Sequence, residues 1–232
     1  MPPLVAAASL IRRFGAVAAL SGVDLEVSAG EAVLLLGANG AGKTTLLRIL
    51  AGLSRPNRGT VTIGGHDLFA SPEARRQVGF VSHSALLYED LTPRENLRFT
   101  ASLHRLHDSE SRVSRALEIA GLQARADRPV RGFSRGMMQR LALARATLHE
   151  PDVLLLDEPF TGLDAEASRV LASRVAADKA AGRAIVAVTH DPGELWQVTD
   201  RVVVLERGKV VFDGARPGTP LEVHSLQPAA DA

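Results

Sequence analysis

An α/β fold built on a mostly parallel sheet is what this sequence predicts, and three observations predict it. Three short runs are apolar throughout, as strands covered on both faces are: Ala32-Val33-Leu34-Leu35-Leu36, Val153-Leu154-Leu155-Leu156 and Ala184-Ile185-Val186-Ala187-Val188. Helical patterns alternate with these runs, which is the order that produces parallel strands joined by crossover helices. The first run leads directly into Gly37-Ala38-Asn39-Gly40-Ala41-Gly42-Lys43-Thr44-Thr45, which fits GxxxxGK[ST]. Leu46-Leu47-Arg48-Ile49-Leu50-Ala51 follows at helical spacing and stops at Gly52. Strand, glycine loop, Lys-Thr and helix therefore stand in register for a phosphate-binding loop. Glycines let the backbone curl so that successive N–H groups point inward, and the helix N-terminus adds its partial positive charge. Lys43 is expected to reach the β- and γ-phosphates of a nucleotide, and the Thr44 hydroxyl to ligate Mg²⁺.

Before the loop, residues 1–31 alternate loosely, first over 4–11 and then over Val23-Asp24-Leu25-Glu26-Val27. Two half-exposed antiparallel strands fit this better than a helix. Phe14 stands in the short break between them, as core filler or as a platform on which an adenine would stack. After the loop helix, Thr60-Val61-Thr62-Ile63-Gly64-Gly65 reads as a strand and a Gly-Gly turn. Val78-Gly79-Phe80-Val81 reads as a short buried strand ending at Ser82-His83. Thr92-Pro93-Arg94-Glu95 opens a helix, with Thr92 as cap, Pro93 in the first turn and Glu95 completing a capping box. A second helix carries Val113, Ala116, Leu117 and Ala120 on one face and stops at Gly121. Residues 84–132 are thus expected to form an inserted, arginine-rich helical lobe, a device for contacting something else.

Another helix begins at Ser134-Arg135-Gly136 and continues through Leu141, Ala144, Arg145 and Leu148. The second apolar strand, at 153–156, runs into Asp157-Glu158, and a helix over about 165–181 stops at Gly182. The third apolar strand ends at Thr189-His190. In open α/β sheets chemistry gathers beyond the C-terminal ends of the strands, and the loop at Gly37, Asp157-Glu158 and His190 all follow such ends. Val202 to Leu205 and Lys209 to Phe212 form a closing hairpin around Arg207-Gly208. The stretch after Gly214, with its prolines and weak pattern, is expected to be poorly ordered.

Composition narrows the functional classes. Hydrophobic residues make up 46% of the 232 and charged residues 23%, ordinary for a globular chain. A formal net charge of +1 gives no reason to expect a nucleic-acid partner. The absence of cysteine excludes disulfides, thiol catalysis and cysteine-bound metal. No apolar run approaches the roughly 18 residues needed to span a bilayer. Arg12-Arg13 follows the first apolar stretch instead of preceding it, against a signal peptide. A cytoplasmic chain is expected, whose membrane role would come through a partner.

Taken together, the motifs resemble those of the nucleotide-binding domain of ATP-binding-cassette (ABC) transporters, over nearly the whole chain. Residues 37–45 look like its Walker A loop, and residues 153–159 like Walker B running into the catalytic Glu. Phe133-Ser134-Arg135-Gly136-Met137-Met138-Gln139-Arg140 resembles the signature segment, Gly162-Leu163-Asp164 the D-loop, and His190 falls at the switch histidine. The resemblance implies a single domain over 1–232: a P-loop NTPase (RecA-like) α/β core with an antiparallel β-subdomain and an inserted α-helical subdomain. It implies an Mg-dependent ATPase, with ATP and Mg²⁺ as cofactors.

Under that resemblance, residues 37–45 and Phe14 bind ATP, while Thr44 and Asp157 hold Mg²⁺. Glu158 is the general base and His190 orients the water. Ser134, Arg135, Gly136 and Met137 bind the γ-phosphate of ATP held by another subunit, so two domains must close head to tail, this chain pairing with itself or with a paralogous ATPase. An integral membrane transporter subunit is the further partner implied.

Two departures stand out. The signature commonly reads Leu-Ser-Gly-Gly-Gln; Ser134 and Gly136 are kept, and Arg135 either adds charge near the γ-phosphate or faces solvent. The Q-loop Gln, an Mg²⁺ contact, is His83 here. That histidine, with Asp157-Glu158-Pro159-Phe160-Thr161, resembles the ATPase of the haem exporter of cytochrome c maturation, short exporters of drugs, lipids or polysaccharide being the alternative. The sequence ends soon after its closing hairpin, so the regulatory domain of many sugar importers is expected to be missing. Soluble ABC proteins acting on ribosomes or DNA usually carry two cassettes or a long coiled-coil insertion, and this chain has neither. A P-loop kinase would have no reason to contain Ser134-Arg135-Gly136 or His190.

Overall fold

The computed structural model describes residues 2–82, 86–189, 192–220 and 222. In it β3 (Ala32–Leu36), β7 (Val153–Asp157) and β8 (Ala184–Val188), the three apolar runs, are buried along their full lengths. They lie inside a six-stranded sheet whose remaining strands are β6 (Val78–Val81), β9 (Arg201–Glu206) and β10 (Lys209–Ala215), in the order β10-β9-β3-β8-β7-β6. All neighbours in this sheet run parallel except the β9–β10 hairpin. The strand β6, expected to be buried, instead alternates between half-buried and buried residues. It sits at the edge of the sheet with β7 as its one strand neighbour. A Cβ at Gly79 would collide with the Ala146 carbonyl oxygen, so glycine lets β6 approach the helix above it.

Because side chains alternate along a strand, the parallel sheet feeds two separate cores. Val33, Leu35, Leu155, Val186 and Val188 face one way, against helix α1 (Lys43–Leu50) and a second, antiparallel sheet. Leu34, Leu36, Leu154, Leu156 and Ile185 face the other way, against helices α5 (Arg135–Thr147) and α6 (Ala165–Ala180). The antiparallel sheet is β2-β1-β4-β5, formed by β1 (Val5–Phe14), β2 (Val17–Val27), β4 (Arg58–Ile63) and β5 (His66–Asp67). Both β1 and β2 run further than the loose alternation indicated. The register of β1 on β2 shifts between Ala7 and Leu10, between Leu10 and Ile11, and between Arg12 and Arg13. Each bulge slips the pattern by one residue and blurs the period of two.

The short helix α2 (Pro72–Arg76) leads into β6, and the inserted lobe follows. Its helices are α3 (Pro93–Leu103) and α4 (Ser109–Ile119). The Thr92 hydroxyl accepts from the Glu95 N–H at 3.2 Å, and the Glu95 carboxylate accepts from the Thr92 N–H at 2.8 Å, so the capping box forms as expected. Leu97 and Ala101 of α3 pack on Val113 and Leu117 of α4, and on Leu141, Ala144 and Leu148 around the second half of α5. Helix α5 is therefore packed on two sides, against the parallel sheet and against the lobe. Beyond β10, the Arg216 N–H donates to the Asp200 carbonyl and the Trp196 indole to the Gly218 carbonyl. No helix among the described residues is long and apolar enough to cross a membrane.

Candidate active site

The loop between β3 and α1 is shaped by glycines at positive φ, two of them with no room for a Cβ. Gly37, Gly40 and Gly42 have φ of +142°, +79° and +108°. A Cβ on Gly42 would run into the Ala19 carbonyl oxygen, and one on Gly37 into the Leu205 carbonyl oxygen. The loop is thus held by β2 on one side and β9 on the other. Lys43, the first residue of α1, is buried and curls back so that its ammonium donates to the carbonyls of Gly37 at 2.7 Å and Ala38 at 3.0 Å. Burial pulls this ammonium below the usual lysine range, while the charges of Glu158 and Asp157 pull it back up.

At the end of β7, Asp157 is buried and its carboxylate accepts from the Thr44 hydroxyl at 3.4 Å, across the loop. The chain then turns sharply. Glu158 has φ of +52°, a left-handed conformation that costs a side-chain-bearing residue about 1 to 3 kcal/mol. Its N–H donates to the Val188 carbonyl at 2.9 Å, which ties the turn to the end of β8. Its carboxylate accepts from the Thr161 hydroxyl at 3.4 Å. The strain falls on the residue that aims a carboxylate at the loop, where strained backbone is most often found to serve function.

These groups open onto one cavity of about 440 Å³, beyond the C-terminal ends of β3, β6, β7 and β8. Residues 39–45, Asp157 and Glu158 line it, whereas Gly37 and Ala38 of the expected loop do not. Ala19, Arg48, Ser82 and Val188 line it too, and the sequence reading assigned them no role there. Ala19 could not have been found by motif, since it arrives through the approach of β2 to Gly42. Ser82 had a signal, its position directly after a strand.

The residues present fit a nucleotide and its Mg²⁺. A glycine cradle, a helix N-terminus and a buried ammonium supply what phosphates need. Thr44 and Asp157 supply hard oxygen ligands. Among the described residues no group of three or more His, Cys, Asp or Glu could hold a metal by itself. That is the usual situation of Mg²⁺, which completes its shell with water and substrate phosphates.

Other expected site residues lie elsewhere. Ser134 caps α5, its hydroxyl accepting from the Met137 N–H at 3.3 Å, and Arg135 is exposed. None of residues 134–137 lines the cavity. The Arg135 side chain lies against Gly162, 2.9 Å from where a Cβ would stand, and Gly136 against Ala167 of α6. Asp164 caps α6 by accepting from the Ala167 N–H at 2.7 Å. Phe14 is 53% exposed at the β1–β2 turn, with the Arg12 guanidinium 4.6 Å over its ring, and it does not line the cavity. His83 and His190 lie outside the described residues.

Residues 20–161 match the protein family described as ABC transporter. The chain belongs to the ABC transporter family. It is similar to the sulfate/thiosulfate import ATP-binding protein CysA of Mycobacterium tuberculosis, 38% identical over 224 residues, covering 95% of this chain and 62% of that protein. It is also similar to the ABC transporter ATP-binding protein NatA of Bacillus subtilis, 36% identical over 203 residues, covering 86% of this chain and 82% of that one. A solved structure of an ATP-binding subunit of an ABC transporter superposes with TM-score 0.86 at 33% identity, covering 96% of this chain and 98% of the other. The dimeric post-hydrolysis state of the cassette MJ0796, bound to ADP and Pi, superposes with TM-score 0.83 at 27% identity, covering 93% and 100%. This chain spans 62% of the length of the CysA relative.

The architecture is that of the ABC ATPase: a P-loop core, an antiparallel β-subdomain and a helical insertion.

Proposed function

We propose that this ABC ATPase energises a membrane transporter, held at the cytoplasmic face of the membrane by an integral membrane subunit. One observation carries the reading: the loop, Asp157 and Glu158 converge on one cavity, whereas Ser134 and the helix turn it caps, residues 135–137, do not line it. A site with its signature elsewhere is completed when two such domains close head to tail, this chain with itself or with a paralogous ATPase. The dimeric cassette similar to this chain supports that arrangement.

Within it, the N–H groups of residues 37–45 and the Lys43 ammonium hold the phosphates. Thr44 and Asp157 hold Mg²⁺, which supplies charge neutralisation to the phosphates when bound. Glu158 takes the proton of the attacking water. To His190 we assign the orienting of that water, and to His83, from its sequence position after Ser82, a contact to the metal. Ser134, Arg135, Gly136 and Met137 meet the γ-phosphate in the facing domain, and Phe14 stacks on the adenine.

For the cargo we propose haem, exported for cytochrome c maturation, on the support of His83 and the run Asp157 to Thr161. A second reading, import of a small solute, is favoured by the names of relatives, sulfate/thiosulfate import in CysA and spermidine/putrescine import in PotA of Nitratidesulfovibrio vulgaris, 38% identical over 216 residues. Purifying the chain from detergent-solubilised membranes tests the proposal. A polytopic subunit is expected to co-purify and to change the ATPase rate, and its sequence decides the cargo class. Recovery of the chain with ribosomes or DNA, and none with membranes, would contradict it.

A further inference from the structure

A second cavity, of about 250 Å³, lies where α4, α5 and α6 meet, and it shares no lining residue with the nucleotide site. Its walls are of two kinds. Leu143, Leu148 and Leu171 form a buried apolar floor, and Ile119 of α4 and Val170 of α6 stand half exposed in its lining. Around them are the arginines 112, 115, 140, 174 and 183. Nothing in the nucleotide chemistry uses any of these groups.

The charge around the cavity is unbalanced. Arg112 pairs with Glu150 at 3.2 Å. Arg174 and Arg183 share Asp178, a buried carboxylate on α6, which fixes both guanidinium groups in place before any ligand arrives. Arg140 donates to the Ala120 carbonyl at 2.9 Å, a contact that leaves its charge uncompensated. Arg115, exposed on α4, has no ion pair among the described residues. Five arginines set against Glu150 and Asp178 leave three positive charges around an apolar floor.

We propose that this cavity binds a small anionic amphiphile, a carboxylate or phosphate monoester carrying a short apolar tail. The tail would cover Leu143, Leu171, Ile119 and Val170, and the head would meet Arg115 and Arg140. Guanidinium groups match carboxylate and phosphate oxygens in pairs, which is why the anion belongs to one of these two classes. The volume lies below the roughly 300 Å³ at which pockets begin to enclose drug-sized ligands, so the site takes one head and the first carbons of a tail. A partner's helix, about 10 Å across, is too thick for it. The ligand would touch α4 of the lobe and α6 of the core together, and so hold the lobe against the core. The proposal stands independently of the cargo.

Titration calorimetry on the full chain tests it with four probes: decanoate, decyl phosphate, decanol and inorganic phosphate. Decanoate or decyl phosphate is expected to bind at one site per chain, and the tighter of the two identifies a fatty acid or a phosphorylated lipid as the source. Decanol lacks the charge and inorganic phosphate lacks the tail, and each is expected to bind at least about tenfold more weakly. Arg115→Glu and Ile119→Gln, both on the exposed face of α4, are each expected to weaken the anionic amphiphile about tenfold or more while ATP affinity and basal ATPase rate stay unchanged. Decanol binding as tightly as decanoate would overturn the proposal, and so would amphiphile binding that neither variant weakens. Inorganic phosphate binding as tightly as decyl phosphate would also overturn it.

Discussion

The two ends of this molecule are built by different rules. At the nucleotide end, four parallel strands deliver their C-terminal residues to one place, so a few contiguous residues after each strand make a site. Asn39 to Thr45, Ser82, Asp157 with Glu158, and Val188 meet there although more than a hundred positions separate the first from the last. In the helical region, α4, α5 and α6 bring together arginines and apolar side chains spaced three and four apart on each helix, with no short motif among them. Sheet topology concentrates chemistry into strings that can be read, whereas helix packing disperses it.

If the ends are this distinct, damage at one should spare the other. The largest effect is expected from Lys43→Ala. It removes the ammonium bound to the Gly37 and Ala38 carbonyls, and ATP hydrolysis should fall by about 10² to 10³-fold, with nucleotide affinity lost as well. Steady-state ATPase assays and nucleotide titration check this. Unchanged rates would break the assignment of the loop.

Leu97→Ala makes the converse cut. Leu97 is fully buried in the lobe, and its truncation should cost about 2 to 5 kcal/mol in denaturant unfolding. ATP affinity measured where the variant is folded should stay within a few fold of wild type. Parallel loss of both would show that lobe and loop are one unit.

A pH effect of similar size is expected at the seam. His104, at the end of α3, stacks on His149 beyond α5, with ring centroids 3.9 Å apart. Burial first, and then the neighbouring His104, push the His149 pKa down to about 4; Arg145 and Arg183 add to this, and the Val78 carbonyl opposes it. His104 is lowered too, by burial and then by Arg76 and Arg145. The unfolded chain therefore takes up these protons first as pH falls. Stability is fully present above about 6.5 and falls between 6.5 and about 4, by roughly 3 kcal/mol for His149. Urea denaturation at pH 7.5 and 5 measures it, and His149→Gln should flatten the dependence. The smallest effect is expected from Thr92→Ala, which removes a helix cap in the lobe and should cost about 1 kcal/mol without touching hydrolysis.

What the sequence made legible follows the same division. The capping box at Thr92 and Glu95, the helix stop at Gly52 and the buried strands expected at 32–36, 153–156 and 184–188 form where local chemistry placed them, the second running one residue further, to Asp157. The ends of β1 and β2 did not follow from the alternation, because bulges reset its phase. The place of β3 between β8 and β9 is a matter of strand order, on which no local pattern bears. Helix α5 is apolar toward both the sheet and the lobe, so no single stripe announces its two contacts. Ala19 reached the site through tertiary approach, and Phe14 stays exposed beside Arg12 without entering the cavity lining.

Glu158 is the proposed base of a site that a second domain completes. Glu158→Gln keeps the shape of the side chain and removes its ability to accept the water's proton. ATPase assays paired with size-exclusion chromatography in ATP and in ADP test both halves at once. ATP affinity is expected to stay within a few fold of wild type, hydrolysis to fall by about 10² to 10⁴-fold, and a dimer to form with ATP and not with ADP. A variant that hydrolyses ATP normally and stays monomeric with ATP would contradict this proposal.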